Sequence, residues 1–276
     1  MKILVCAKFV PDTDHLIIKE SEGGKAVIGD LSEYRMNRFD EFAVEEAVRI
    51  KEQSGGVIVD VLTVGPEPSK DVLRRAMGMG ADNGIHLAVR GEQYLSPMVV
   101  AAGIADYARE KDYNLILTGA MSEDMMNGQV GPMVASFSGL PCATQVILLR
   151  LSSGRRNDQS EENPDASSDW VAVYVEREIE GGNREMLEID LPAVIAVQTG
   201  INEPRYPSLS NLLRANKQVI ETIALGDPGN SVLKAPEDLV STIVPPKMRA
   251  GRHVEGSAAE KAEQLLLILH DKALIK

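Results

Sequence analysis

Aromatic residues make up only 4% of this 276-residue chain, so its core must be built from aliphatic side chains and methionine. Cysteine is scarce as well: Cys6 and Cys142 stand far apart and form no CxxC. That excludes a disulfide framework and a zinc ribbon, and fits a reducing compartment. The four histidines, at 15, 86, 253 and 270, lack metal-ligand spacing, so no metal is expected. His86, inside GIHLAV, reads as structural. Basic residues are outnumbered, 29 Lys and Arg against 41 Asp and Glu, for a net charge of −12. A nucleic-acid partner requires the opposite balance, because phosphates are bound by surplus Lys and Arg. No apolar run reaches the roughly 18 residues a membrane span requires, so no direct membrane insertion is expected. MKILVCAKFVPD turns polar too soon for a signal peptide. The patterns GxxxxGK[ST], HExxH and GxSxG are missing, and no catalytic residue is assigned. With 44% hydrophobic residues, a soluble, acidic, cytoplasmic protein with a sizeable core is expected.

What is present is a rhythm. KILVCAKFV (2–10), VIVDVLTV (57–64), GIHLAV (84–89) and YNLILTG (113–119) are short, nearly continuous apolar runs. Such runs suit strands buried on both faces. Helical stretches lie between them. MNRFDEFAVEEAVRIKEQ (36–53) offers Asn37 and Asp40 as N-terminal caps, with Ala43, Ala47 and Ile50 at helical spacing. DVLRRAMGMG (71–80) closes on glycine, and SPMVVAAGIADYAREK (96–111) places Ser96 as cap with Pro97 at its first position. VGPMVASFSG (130–139) follows the fourth strand. The alternation predicts the α/β class, with βαβ units and a doubly wound, mostly parallel sheet.

After residue 145 the rhythm changes. QVILLRL (145–151) is a strand and 152–169 a polar surface insertion. WVAVYVERE and REMLEID flank Glu180-Gly181-Gly182 as an antiparallel hairpin, and PAVIAVQ (192–198) is another buried strand. Residues 1–225 form the expected α/β domain, and 226–276 an extended arm plus a helix. Ser257 and Glu260 make a capping box for that helix. Ala262, Leu265, Leu266 and Leu269 form its stripe, and Leu267 and Ile268 fill neighbouring faces. A helix apolar nearly all round wants burial, against its own domain or against a partner subunit.

Open α/β sheets bind ligands at the carboxyl ends of their strands. AKFVPD (7–12), VGPEPS (64–69) and TGAMSEDMMNGQVG (118–131) stand there. In the third, Gly119, Gly128 and Gly131 permit close backbone approach, and Asn127 and Gln129 add polar side chains. A helix begins just beyond, and its free N–H groups and dipole suit a phosphate. The segment reads as a nucleotide phosphate loop or as an ordinary βα turn. Helix capping fully explains Asn37. Residues 199–210 form a stiff loop, since Pro204 and Pro207 restrict the backbone on both sides of Arg205 and Tyr206. Arg and Tyr anchor interfaces. Leu209 is either an exposed tip or a staple for a helix after Ser210.

These residues resemble the β subunit of electron transfer flavoproteins. VEREIEGGNREMLEIDLPAVIA (175–196) is similar to the family signature and NEPRYPSL (202–209) to its recognition loop. MNRFDEFAVEEAVRIKE, RRAMGMGAD and LTG…QVGP follow in family order, so the resemblance covers nearly the whole chain. It implies an adenine nucleotide alpha hydrolase-like fold and an electron carrier, not an enzyme in its own right. It implies a heterodimer with an α subunit that holds most of the FAD, and a buried nucleotide in the β subunit itself. That nucleotide is AMP, or a second FAD in electron-bifurcating members. The positions carried over are Cys6, Ala7, Lys8, Asn37, Arg38, Phe39, Asp40, Val64, Gly119, Ser122, Asp124, Asn127, Gly128, Gln129 and Val130. Glu203, Arg205, Tyr206 and Leu209 carry over as partner contacts, with Leu209 as anchor, while Arg205 and Tyr206 would brace the loop or face the flavin domain rather than catalyse. Flavin dehydrogenases such as acyl-CoA dehydrogenase would deliver electrons, and a quinone-linked or soluble acceptor would take them. The arm and last helix would wrap the α subunit. The nucleotide loop departs from the common pattern D-G-D-T-A-Q-V-G. Asp124, Gln129, Val130 and Gly131 are kept, but Met125 and Met126 replace its polar middle, which leaves AMP and FAD both open. FVPDT (9–13) is similar to the anaerobic and bifurcating branch. Two rivals use the same scaffold. A nucleotide-hydrolysing enzyme needs a phosphate-binding Lys or a carboxylate set for a metal. A stress-type nucleotide-sensing homodimer needs neither the NEPRYPSL loop nor the arm.

Overall fold

The apolar runs become strands and the capped stretches become helices in the computed structural model, which describes residues 1–12, 19–20, 26–27, 34–89, 95–153, 170–225, 251 and 253–275. The order is β1 (Lys2–Cys6), β2 (Phe9–Pro11), β3 (Lys19–Glu20), β4 (Ala26–Val27), β5 (Tyr34–Met36), α1 (Arg38–Ser54), β6 (Ile58–Gly65), α2 (Lys70–Met79), β7 (Asn83–Ala88) and α3 (Pro97–Ala108). Then come β8 (Leu115–Gly119), α4 (Val130–Ser138), β9 (Cys142–Ser153), β10 (Trp170–Ile179), β11 (Asn183–Asp190), β12 (Ala193–Val197), α5 (Leu209–Lys217), β13 (Ile220–Ala224) and α6 (Ala258–Asp271). The insertion expected at 152–169 and the arm expected at 226–256 fall almost wholly outside the described residues.

One nine-stranded sheet has the order β11-β10-β9-β12-β8-β1-β6-β7-β13. Within it only β10 runs against the rest, pairing antiparallel with β9 and β11. From β1 the chain winds outward through β6 and β7, then crosses to β8 on the other side of β1. The β1–β8 boundary is therefore a topological switch point, where such sheets open a crevice. Two small pairs, β2 with β5 and β3 with β4, complete the strands of the described residues.

Successive strand residues face opposite sides, and the core divides accordingly. Ile3, Val5, Val61, Leu115 and Leu117 pack with Ala43 and Ala47 of α1 and Leu73 and Met77 of α2. Leu4, Leu62, Ile85 and Ile116 pack with Ile104 of α3 and Val134 of α4. Ile3, Leu4 and Val5 are fully buried; each such side chain contributes about 1.5–3 kcal/mol. Contacts cluster into two compact units, Met1–Lys19 with Val27–Ser241 and Glu20–Ala26 with Thr242–Lys276. In the second unit α6 carries the expected capping box, yet none of its residues is buried.

Three boundaries and one added strand depart instructively from the sequence reading. The first apolar run breaks after Cys6, because Phe9–Pro11 leaves the sheet to pair with Tyr34–Met36. β9 starts at Cys142, three residues early, since it pairs with Val194 of β12 there. α5 starts at Leu209, capped by Ser208, whose hydroxyl accepts from the Asn211 amide. β13 was not expected from sequence. IETIA pairs with β7 as an edge strand, and most of it is exposed, so it lacks the continuous apolar run of its neighbours.

Candidate functional site

The crevice is built by the first turn of α1. Asp40 is buried there and accepts two backbone hydrogen bonds, from Lys8 N at 2.7 Å and from Gly119 N at 3.0 Å. It thus bridges the residues that follow β1 and end β8. Gly119 must be glycine, because a Cβ would lie 2.7 Å from Phe39 Cβ and within contact of an Asp40 oxygen. Burial pushes the Asp40 carboxyl up to about 7, against the Lys8 amide, the Asn37 side chain, the Gly119 amide and the Lys8 charge. Burial, with the Asp40 charge second, also pushes the Cys6 thiol up, so Cys6 stays a neutral thiol.

Asn37 overturns the expectation that capping explains it. Its side chain makes no cap hydrogen bond. Instead Nδ2 donates to Met121 O at 2.9 Å and Oδ1 accepts from Glu123 N at 3.0 Å. Glu123 returns the favour: its carboxylate accepts from Arg38 N at 3.1 Å, so the loop caps the helix. Asp40, the other cap candidate, likewise turns away to Lys8 and Gly119. Sequence reasoning missed Glu123 and Met121, whose partnership spans more than 80 residues and leaves no local spacing to find.

Lys8 carries the contact further. Its Nζ reaches Asp124 at 2.6 Å and Ser122 at 3.3 Å. Burial pushes the Asp124 carboxyl up, but the Lys8 ammonium outweighs it and holds the group below its ordinary value. Beyond lie Met125 and Met126, both exposed, and Met126 holds a left-handed φ of +53. Asn127 and Gln129 are exposed too, Val130 is partly buried, and Gly128 has φ +59. Gln129 occupies the N-cap of α4 without a side-chain cap bond, so first-turn amides stay available. Gly131 closes on β8: a Cβ there would lie 2.7 Å from Thr118 Oγ1. Thr118 Oγ1 is buried and has no hydrogen-bond partner among the described residues. Cys6 lies beside Thr118 in register, with Val64 of β6 packed against the same face of the core. The structure therefore brings Cys6, Ala7, Lys8, Asn37, Phe39, Asp40, Gly119, Ser122 and Asp124 together. Arg38 joins only through its amide, since its side chain is exposed.

A sequence model of the electron transfer flavoprotein domain matches residues 25–228. The chain is 32% identical to the electron transfer flavoprotein subunit beta of Bacillus subtilis (strain 168), over the whole of both chains. It is 36% identical to that of Sus scrofa, covering 92% of this chain and 93% of the other. To that of Methylophilus methylotrophus it is 30% identical over 98% of each. The chain belongs to the electron transfer flavoprotein β-subunit family.

In this electron transfer flavoprotein β-subunit chain, the loop after β12 hangs on α1 as well. Asn202 Nδ2 donates to Phe42 O at 3.0 Å and to Glu46 at 2.9 Å. Arg205 is held by Glu45 and Glu52. Pro207 is buried against Gly78 of α2, where a Cβ would lie 3.1 Å from its ring and 2.9 Å from Leu212. Glu203 is exposed, while Tyr206 and Leu209 project at 85% and 75% exposure, so Leu209 is not tucked under α5. Arg75 lies over the Tyr206 ring at 5.2 Å. A cleft of about 460 Å³ beside them is lined by Phe9, Tyr34, Glu41, Asp71, Arg75 and Tyr206. Among the described residues no helix is long and apolar enough to cross a membrane, and no three or more His, Cys, Asp or Glu side chains cluster so as to hold a metal ion.

Proposed function

We propose that this chain is the β subunit of a heterodimeric electron transfer flavoprotein. It shares FAD with an α subunit and holds an adenine nucleotide, AMP or a second FAD, in the β1–β8 crevice. The observation that carries the nucleotide reading is the α4 mouth: unclaimed first-turn amides, glycines at 119, 128 and 131, and the unpaired Thr118 hydroxyl. Such an N-terminus favours a phosphate. Cys6 and Val64 line the same sheet face and would meet the adenosine part. Lys8 is committed to Asp124, so its charge is already paired. The bound flavin supplies the redox chemistry, and the protein orients it and tunes its surroundings. This chain contributes no acid, base or nucleophile to a bond-breaking step.

The loop 202–209 serves as the docking element for flavin dehydrogenases, with Leu209 as the anchor. Electrons pass on to a quinone-linked or soluble acceptor. Residues 226–276 wrap the α subunit, which would cover the exposed leucines of α6. The test is co-expression with the α subunit and acid extraction of the purified complex. A yellow heterodimer with one flavin and one AMP assigns AMP to this subunit, and two flavins assign the second FAD. A colourless homodimer overturns the reading.

A further inference from the structure

We propose that Asp40 is a positioning residue rather than a nucleotide contact: its ionised carboxylate ties the end of β1 to the end of β8 and sets the width of the crevice. The inference rests on the nucleotide reading above and adds a pH-sensitive element to it.

Both carboxylate oxygens are engaged by backbone, one by Lys8 N at 2.7 Å and the other by Gly119 N at 3.0 Å. The side chain is 5% exposed, and it sits one turn from Asn37, which pins the same loop. A neutral carboxyl must place a hydrogen on one oxygen. That oxygen then faces an N–H donor, and one of the two ties is lost. Among the described residues, the groups facing Asp40 are the Cys6 thiol and Lys8 ammonium from the β1 end, the Asn37 amide from its own turn and the Gly119 amide from β8. Cys6 stays neutral and Lys8 stays paired to Asp124. Proton uptake by Asp40 is thus the change that can open the tie near neutral pH. Its ionised fraction falls about tenfold between about pH 8 and about pH 6.

The test uses the complex with the α subunit, wild type and Asp40→Asn, which has the shape of the neutral acid. Two quantities are followed from about pH 8 to about pH 6: adenine nucleotide retained after dialysis, and amide exchange in peptides spanning Lys8 and Gly119, corrected for intrinsic rates. Wild type should lose nucleotide and protection severalfold as pH falls. Asp40→Asn should start at the low-pH level and stay flat. A variant that follows the wild-type profile overturns the proposal. If wild type carries no adenine nucleotide at any pH, the nucleotide reading fails. The exchange profile then judges the tie alone, with pH-dependent protection supporting it and a flat profile sinking it. Should Asp40→Asn not fold, a flat wild-type exchange profile overturns the proposal by itself.

Discussion

Arg205 grips Glu45 with a two-pronged contact, Nε to Oε2 at 2.9 Å and Nη2 to Oε1 at 3.0 Å, while its own amide donates to Oε2 at 3.1 Å. Glu52, two helical turns along α1, takes the other side of the guanidinium. Glu45 is buried, so it depends on Arg205 for charge compensation. Arg205→Lys keeps the charge but loses the planar fork. A cost of about 1–3 kcal/mol is expected, together with faster amide exchange across residues 202–209. Denaturant unfolding and hydrogen exchange measure the two effects, and a variant as stable and protected as wild type would refute the brace.

Leu209 tests the docking role separately. Its side chain is 75% exposed, so Leu209→Ala removes little packing and should change stability by less than about 0.5 kcal/mol. Rigid loops with an apolar tip bind at low ordering cost, and a central anchor residue is worth about 2 kcal/mol or more. Electron transfer from the dehydrogenase should therefore fall through a raised KM, with flavin content unchanged. Unaltered transfer kinetics would remove Leu209 from the interface.

Asn37→Ser separates two roles that look alike in sequence. Serine is as good a helix cap as asparagine, so a capping residue would tolerate the change. Serine cannot span to both Met121 O and Glu123 N. The variant should lose about 1–3 kcal/mol and release adenine nucleotide on dialysis. Wild-type retention would return Asn37 to a cap.

How much of this was legible follows from how local each signal is. The parallel sheet was readable because Ile3 to Val5 and Leu115 to Leu117 are continuous apolar runs, and Val57 to Leu62 is broken only by Asp60, with capped helices between them. The place of the crevice was readable because open α/β sheets bind ligands at strand carboxyl ends and the loop after β8 carries glycines, whereas the strand order came only with the fold. Asn37 was misjudged because capping preferences are local, while its partners sit in the loop after β8. That Arg205 would brace its loop was legible from the two prolines around it, but its partners were not, because nothing in NEPRYPSL points to Glu45 and Glu52, which face it only once α1 lies beneath the loop. β13 escaped because an edge strand needs no buried face, and Glu221 and Thr222 leave it without one. The apolar girdle of α6 was legible, but its cover is not supplied by the described residues.

Asp40 also has a signature in global stability, opposite in sign to its effect on the crevice. Its carboxyl is raised by burial from 3.8 to about 7 in the folded protein. Between those values the folded state holds a proton that the unfolded state has released, so stability falls as pH rises through this window. The loss is on the order of 4 kcal/mol at most and is complete above the folded value. Asp40→Asn has no such proton and should lack this component. Chemical denaturation of both proteins from about pH 5 to about pH 8 should show the wild type losing stability relative to the variant, then levelling off. The ionised form that orders the crevice is then the form that costs the fold, as expected where a site is held against the preference of the core. A wild-type minus variant difference that is flat, or that rises with pH, would mean the Asp40 carboxyl titrates in its ordinary range.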